Sequence, residues 1–204
     1  MARGIAVTAL TVSGAMSPAT LPAMAASAPA ETESSSAAAA NRSFGRLGDL
    51  TGLVVERLRV SDDVAASKFG TTKPIDDPVR EQQVLDQVRA QAGALGLDPD
   101  AAAAFFQDQI TASKVVQRGL FARWTAHPEE APTTRPDLAQ IRTRLDRLTS
   151  SLLQELKSTE DLRAERTSCT VQLALAAGSA VFREHLDALH RQGLRTAVHS
   201  VCAT

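Results

Sequence analysis

Apolar positions along this chain recur at helical spacing, and charges interrupt them at repeated places. Leu50, Val54, Arg57, Ser61, Val64 and Lys68 advance by steps of 4, 3, 4, 3 and 4 residues, the spacing that turns one helical face toward a packed partner. Two of those positions, Arg57 and Lys68, are cations. A buried cation without an anion costs several kcal/mol, so the pattern asks for something negative opposite the pair. Lying 11 residues apart, the two share one face at a separation of about 16 Å along the axis. The bland alternative is that each snorkels from a solvated face.

The same period predicts the other elements. A first helix runs from Ser43, as N-cap, to about Lys68, with Gly70 just past its end. An extended connection follows, containing Pro74, and ends where Asp77 caps a second helix and Pro78 occupies its first position. That helix has Glu81, Leu85, Val88, Ala92 and Leu95 as its seam, with Arg80 on the flank. Glu81 suits either a site or simply the positive end of the helix dipole. A third helix, about Pro99 to Ala126, has Phe106, Ile110, Ser113, Gln117, Leu120 and Trp124 on its seam. Ser113 and Gln117 stand one turn apart, so hydroxyl and amide converge, whether to set register or to hold a ligand. Trp124 reads as core. After a proline-rich loop, His127 to Asp137, a fourth helix places Leu138, Arg142, Leu145, Thr149, Leu152 and Leu156 at the same spacing. Cys169 to Cys202 reads as one or two further helices broken near Gly178.

These elements give an all-α, single-domain helical bundle of about six helices. Aromatic content of 3%, with no Tyr, and a sequence rich in Ala, Leu, Arg and Glu support helix over sheet. The formal net charge of -1 removes the electrostatic footprint of a nucleic-acid binder, and the body of the chain has no membrane-length apolar run. Arg3, the apolar stretch Ile5 to Met16 and the small-x-small site at Ala23-Met24-Ala25 read as an export signal over residues 1–25, against the alternative of an Ala-rich tail. Residues 26–42 then form a flexible Ala/Ser-rich lead-in, and 43–204 the functional domain. In an exported, secreted or periplasmic chain the two cysteines, Cys169 and Cys202, are expected to pair as a structural disulfide that clips the C-terminal part.

Collected, the seam polar groups are Arg57, Lys68, Glu81, Ser113, Gln117 and Arg142, with Arg80 beside them. Buried polar atoms must be satisfied together, so these residues are expected to line one pocket. That set contains no Cys or Ser with an evident His base, no glycine-rich phosphate loop and no metal-ligating cluster; His185, His190 and His199 are too loosely spaced for one. Arg, Lys and amide donors suit a compact molecule with two carboxylates.

Four motifs in order, ERLxVxDxVAxxK (Glu56 to Lys68), PIDDxxRE (Pro74 to Glu81), FxxQIxASKxxQ (Phe106 to Gln117) and RPDLxxIR (Arg135 to Arg142), resemble the all-helical, AroQ-type chorismate mutases. The leader and the C-terminal cysteine pair resemble the secreted (gamma) subclass, and the likeness spans about Ser43 to Cys202. It implies the Claisen rearrangement of chorismate to prephenate with no cofactor, no membrane partner after signal cleavage, and a homodimer with each site inside one protomer. Carried onto this chain, it implies that Arg57 and Arg142 grip substrate carboxylates, assisted by Arg80 and Ser113. Lys68 and Gln117 would donate to the ether oxygen, and Glu81, with Asp77, would receive the ring hydroxyl. Gln117 departs from several secreted members, which have Glu there. An amide needs no proton to donate, so activity is expected to stay nearly flat from mildly acidic to mildly alkaline pH. The competing readings are an exported helical module that binds a dicarboxylate without turnover, and a plain bundle whose seam charges pair internally.

Overall fold

The computed structural model describes residues 45–202. Seven α-helices follow one another: α1 (Gly48–Lys68), α2 (Pro78–Ala94), α3 (Pro99–Ala126), α4 (Leu138–Ser158), α5 (Glu160–Ala164), α6 (Arg166–Arg183) and α7 (Ala188–Ala197), with a 3-10 turn at Pro128–Glu130 between α3 and α4. There is no strand among the described residues. The expected bundle is present, with seven helices among the described residues rather than about six because the five-residue α5 follows α4 directly. The proposed export signal, the lead-in and the Ser43 cap lie outside the described residues; α1 itself starts at Gly48 without a side-chain cap.

Aspartates set four of the other helix starts, while α5 and α6 begin without a side-chain cap. Asp77, Asp98, Asp137 and Asp187 each accept a hydrogen bond from a backbone N–H in the first turn, and Pro78 and Pro99 fill positions where that N–H would have no helical partner. Gly70, with φ of 68°, ends α1 as expected. Leu95 was expected on the α2 seam but is 39% exposed, because the helix has already ended at Ala94; Leu97 takes the apolar place instead.

The long α3 is the spine, packing against α1, α2 and α7, while α1 also meets α4, α6 and α7. Leu47, Leu50, Val54, Phe105, Phe106, Val116, Leu152, Leu153 and Leu156 are fully buried among them. Two glycines allow the close approach of α7. A Cβ on Gly119 would meet Leu189 at 2.5 Å, and one on Gly193 would meet Leu58 at 2.8 Å. Cys169 and Cys202 form the expected disulfide and tie the start of α6 to the residues after α7. The break in this C-terminal stretch does not fall at Gly178, which is helical and exposed. It falls at Glu184–Asp187, where His185 adopts φ of 49° and the Asp187 side chain caps the new helix. A glycine on an open helix face weakens the helix without ending it; a capping carboxylate gives the chain a new start.

Candidate active site

Between α1, α2, α3 and α4 lies a cavity of about 410 Å³, and all eight residues singled out from the sequence line it: Arg57, Lys68, Asp77, Arg80, Glu81, Ser113, Gln117 and Arg142. Its lining carries six cations (Arg57, Lys68, Lys73, Arg80, Lys114, Arg142) and three carboxylates (Asp77, Glu81, Asp146), a surplus of three positive charges. Arg57, Lys68, Arg80 and Arg142 make no ion pair with any carboxylate among the described residues, whereas Lys114 is paired twice. The anion that the α1 seam asks for is therefore not supplied by an ion pair among the described residues.

Arg57 is the deepest of these cations. Its Nη1 donates to the Leu145 carbonyl and to Thr149 Oγ1, each at 3.3 Å, and its guanidinium lies 5.5 Å from the centre of the Phe106 ring. Burial pushes it down to about 10, only partly opposed by the charge of Asp146. Lys68, half-buried three turns along α1, is also lowered by desolvation, against the pull of Asp77, Asp76 and Glu81. Its Nζ reaches the Ile75 carbonyl at 3.5 Å, which leaves most of its donor capacity open. Arg142 departs from expectation in degree: it lines the cavity from an exposed rim position near the start of α4, where the seam runs out into solvent.

The first turn of α2 forms the opposite wall. Asp77 accepts from the Arg80 backbone N–H at 3.0 Å, and Glu81 Oε1 accepts from the Asp77 N–H at 3.2 Å, so both carboxylates are partly engaged in starting their own helix. Glu81 Oε2 takes a charge-assisted bond from Lys114 Nζ at 2.9 Å. Lys114 also pairs with Asp76 at 3.3 Å, and Arg118 grips both oxygens of Asp76 at 2.7 and 2.8 Å. The connection between α1 and α2 is thereby strapped to α3. At its other end Phe69 packs edge-on against Phe121 and Trp124, each at 5.2 Å, so Trp124 is core as read.

On α3, Gln117 Nε2 donates to Ser113 Oγ at 3.0 Å, and Ser61 Oγ on α1 donates to the same Ser113 oxygen at 2.8 Å. Gln117 Oε1 is buried without a partner. Lys114, Thr149 and the role of Ser61 escaped the sequence reading. Ser61 and Thr149 both stand on seams, which was the available signal, but a small hydroxyl there is commonly only a spacer. The histidines stay outside the site: His185 and His199 are exposed, and His190 is half-buried in ion pairs with Asp62 and Asp187.

Comparison with known proteins finds related chains over most of the described length. The family described as chorismate mutase type II matches residues 49–118. The secreted chorismate mutase of Mycobacterium tuberculosis is 35% identical over 157 residues, 77% of this chain and 78% of that protein. That of Mycolicibacterium smegmatis is 33% identical over 75% of this chain and 84% of the relative. Among solved structures, the chorismate mutase of Burkholderia phymatum superposes with a TM-score of 0.73 at 36% identity, covering 78% of this chain and 97% of that one.

Proposed function

The chain belongs to the chorismate mutase family, and from that premise we propose how its cavity converts chorismate into prephenate. The observation that carries the proposal is the set of four cations, Arg57, Lys68, Arg80 and Arg142, that face one cavity without an ion pair to any carboxylate among the described residues. A substrate dianion supplies the missing charge, and its two carboxylates fix its orientation.

The reaction breaks one C–O bond and forms one C–C bond within a single molecule, so it asks the protein for conformational restraint and for donors where charge develops. Arg57, held from behind by Leu145 and Thr149, grips one carboxylate from the cavity floor, and Arg142 closes on the other from the rim. Arg80 and Ser113 assist at the carboxylate ends. Lys68 and Gln117 donate to the ether oxygen as it gains negative charge, and that interaction is stronger in the transition state than in the ground state. Glu81, oriented by the bond from Lys114, receives the ring hydroxyl, with Asp77 beside it.

The named relatives are secreted, and no helix among the described residues is long and apolar enough to cross a membrane. Residues 1–25 act as the export signal, 26–42 as lead-in and 43–204 as the catalytic domain. The protein works as a homodimer with each site built within one protomer. The outer face of α6 supports this: Val171, Leu175 and Phe182 are 54%, 54% and 80% exposed, and Gly178 completes the stripe. Antiparallel pairing about a two-fold axis brings Val171 opposite Phe182 and Leu175 opposite Gly178, large against small.

The direct test is loss of chorismate ultraviolet absorbance with the purified chain and with Arg57→Ala and Lys68→Ala. Turnover by the parent and collapse in folded variants is expected. A folded parent that binds a dicarboxylate without turnover would replace the enzyme with a binding protein.

A further inference from the structure

Ser61 is buried to 2% exposure, lines the cavity and projects from α1 toward α3, yet it is neither a cation nor a group that the substrate's charges call for. Its hydroxyl donates to Ser113 Oγ at 2.8 Å, and the same oxygen accepts from Gln117 Nε2 at 3.0 Å. A serine oxygen has two acceptor sites and one proton. With Ser61 as the donor of that bond, both acceptor sites are filled, and among the described residues the Ser113 proton has no protein acceptor other than the Ser61 oxygen itself. It is left for the cavity. The Gln117 amide is in a related position: its carbonyl oxygen is buried without a partner among the described residues, and the bond to Ser113 is the one there that fixes which way the amide faces.

We infer that Ser61 is a positioning residue for this reaction, whose hydroxyl fills the Ser113 oxygen and thereby turns the Ser113 O–H and the second N–H of Gln117 into donors aimed at bound substrate. The inference rests on the chorismate mutase reading of the cavity. Without the Ser61 hydroxyl, Ser113 regains a free acceptor site and its rotor can turn to donate to Gln117 Oε1. The amide then satisfies its carbonyl at the expense of the orientation it needs. Because Gln117 is assigned to the ether oxygen, where charge appears only as the bond breaks, the loss should fall on kcat more than on KM.

The test compares Ser61→Ala, Ser61→Thr, Ser113→Ala and the Ser61→Ala/Ser113→Ala double variant with the parent, for chorismate kinetics, prephenate binding and thermal unfolding. Losing one neutral hydrogen bond in the network predicts a fall in kcat of about tenfold for Ser61→Ala, with KM changed less than twofold. Prephenate affinity should stay within threefold and the melting temperature near the parent's. Ser61→Thr should recover most of the activity. The double variant should be no slower than Ser113→Ala alone, because Ser61 acts only through Ser113. An unchanged kcat in Ser61→Ala, or losses that multiply in the double variant, would overturn the inference while leaving parental turnover intact. Absence of turnover in the parent would instead remove the functional reading on which it stands.

Discussion

Lys114 Nζ stands 2.9 Å from Glu81 Oε2, and the pair joins the middle of α3 to the first turn of α2 at the edge of the cavity. Both side chains are mostly shielded, at 18% and 20% exposure, so the contact is more than a surface ion pair. The bond to Glu81 raises the Lys114 pKa above its ordinary value, which keeps the ammonium charged throughout the working range. Lys114→Met removes the charge that orients Glu81 and half of the hold on Asp76. A rise in KM of about tenfold with a smaller change in kcat is expected from steady-state kinetics, since one charge-assisted contact is lost on the binding side.

The pH profile of kcat/KM should have a flat acid side and a falling basic limb. The amide of Gln117 carries no titrating proton, so nothing there needs to be protonated between mildly acidic and mildly alkaline pH. Lys68 is lowered by burial, so its charge is lost at lower pH than a free lysine would lose it. Lys68→Arg should move the basic limb upward, at a reduced rate. A limb that stays in place in that variant would assign it to another group.

Arg57 sets function against stability. Its folded pKa lies near 10, below its ordinary value, so the charged form is disfavoured by folding and the cost is present throughout the range below about pH 10. Arg57→Met removes a desolvated charge from an apolar surround that includes Phe106. The melting temperature should rise by a few degrees, corresponding to roughly 1–3 kcal/mol, while kcat/KM falls about 100- to 1,000-fold. A variant that is both inactive and strongly destabilised would mean that the Thr149 and Leu145 contacts outweigh the desolvation.

His190 links α7 to α1 through Asp62 at 3.0 Å and to its own helix start through Asp187 at 2.8 Å. The bond to Asp62 is the main cause that raises its pKa to about 9. A raised histidine contributes stability fully below its unfolded pKa near 6.5 and loses it as pH climbs through about 9. The contribution is on the order of 2–3 kcal/mol. Thermal unfolding of the parent should therefore weaken between pH 6.5 and 9, and His190→Asn should abolish that slope while starting from a lower melting temperature at pH 6.

The sequence disclosed the site more fully than its supports. Arg57, Lys68, Ser113 and Gln117 were legible because a polar group on an apolar seam is anomalous within its own helix, without reference to any other. Lys114 was not, since its partner Glu81 is 33 residues away and a lysine off the seam raises no question. Ser61 stood on the seam, but its partner Ser113 lies 52 residues on, so only tertiary structure shows which oxygen it serves. The helix break was misplaced at Gly178 because composition weighs glycine heavily, whereas an Asp187 cap outweighs it where the chain must turn back across α3.

Every wall of the cavity is built on helix except the connection between Lys68 and Pro78, which is strapped to α3 through Asp76. Most of the ordering that catalysis requires is thus completed when the chain folds, and little of it has to be repeated at each turnover. The non-helical part of the wall is that one short segment, and the exposed Arg142 also borders the cavity. Arg118 grips that segment through Asp76 without lining the cavity itself, so Arg118→Ala should alter product release more than the chemical step, seen as a kcat change with the single-turnover rate nearly unchanged.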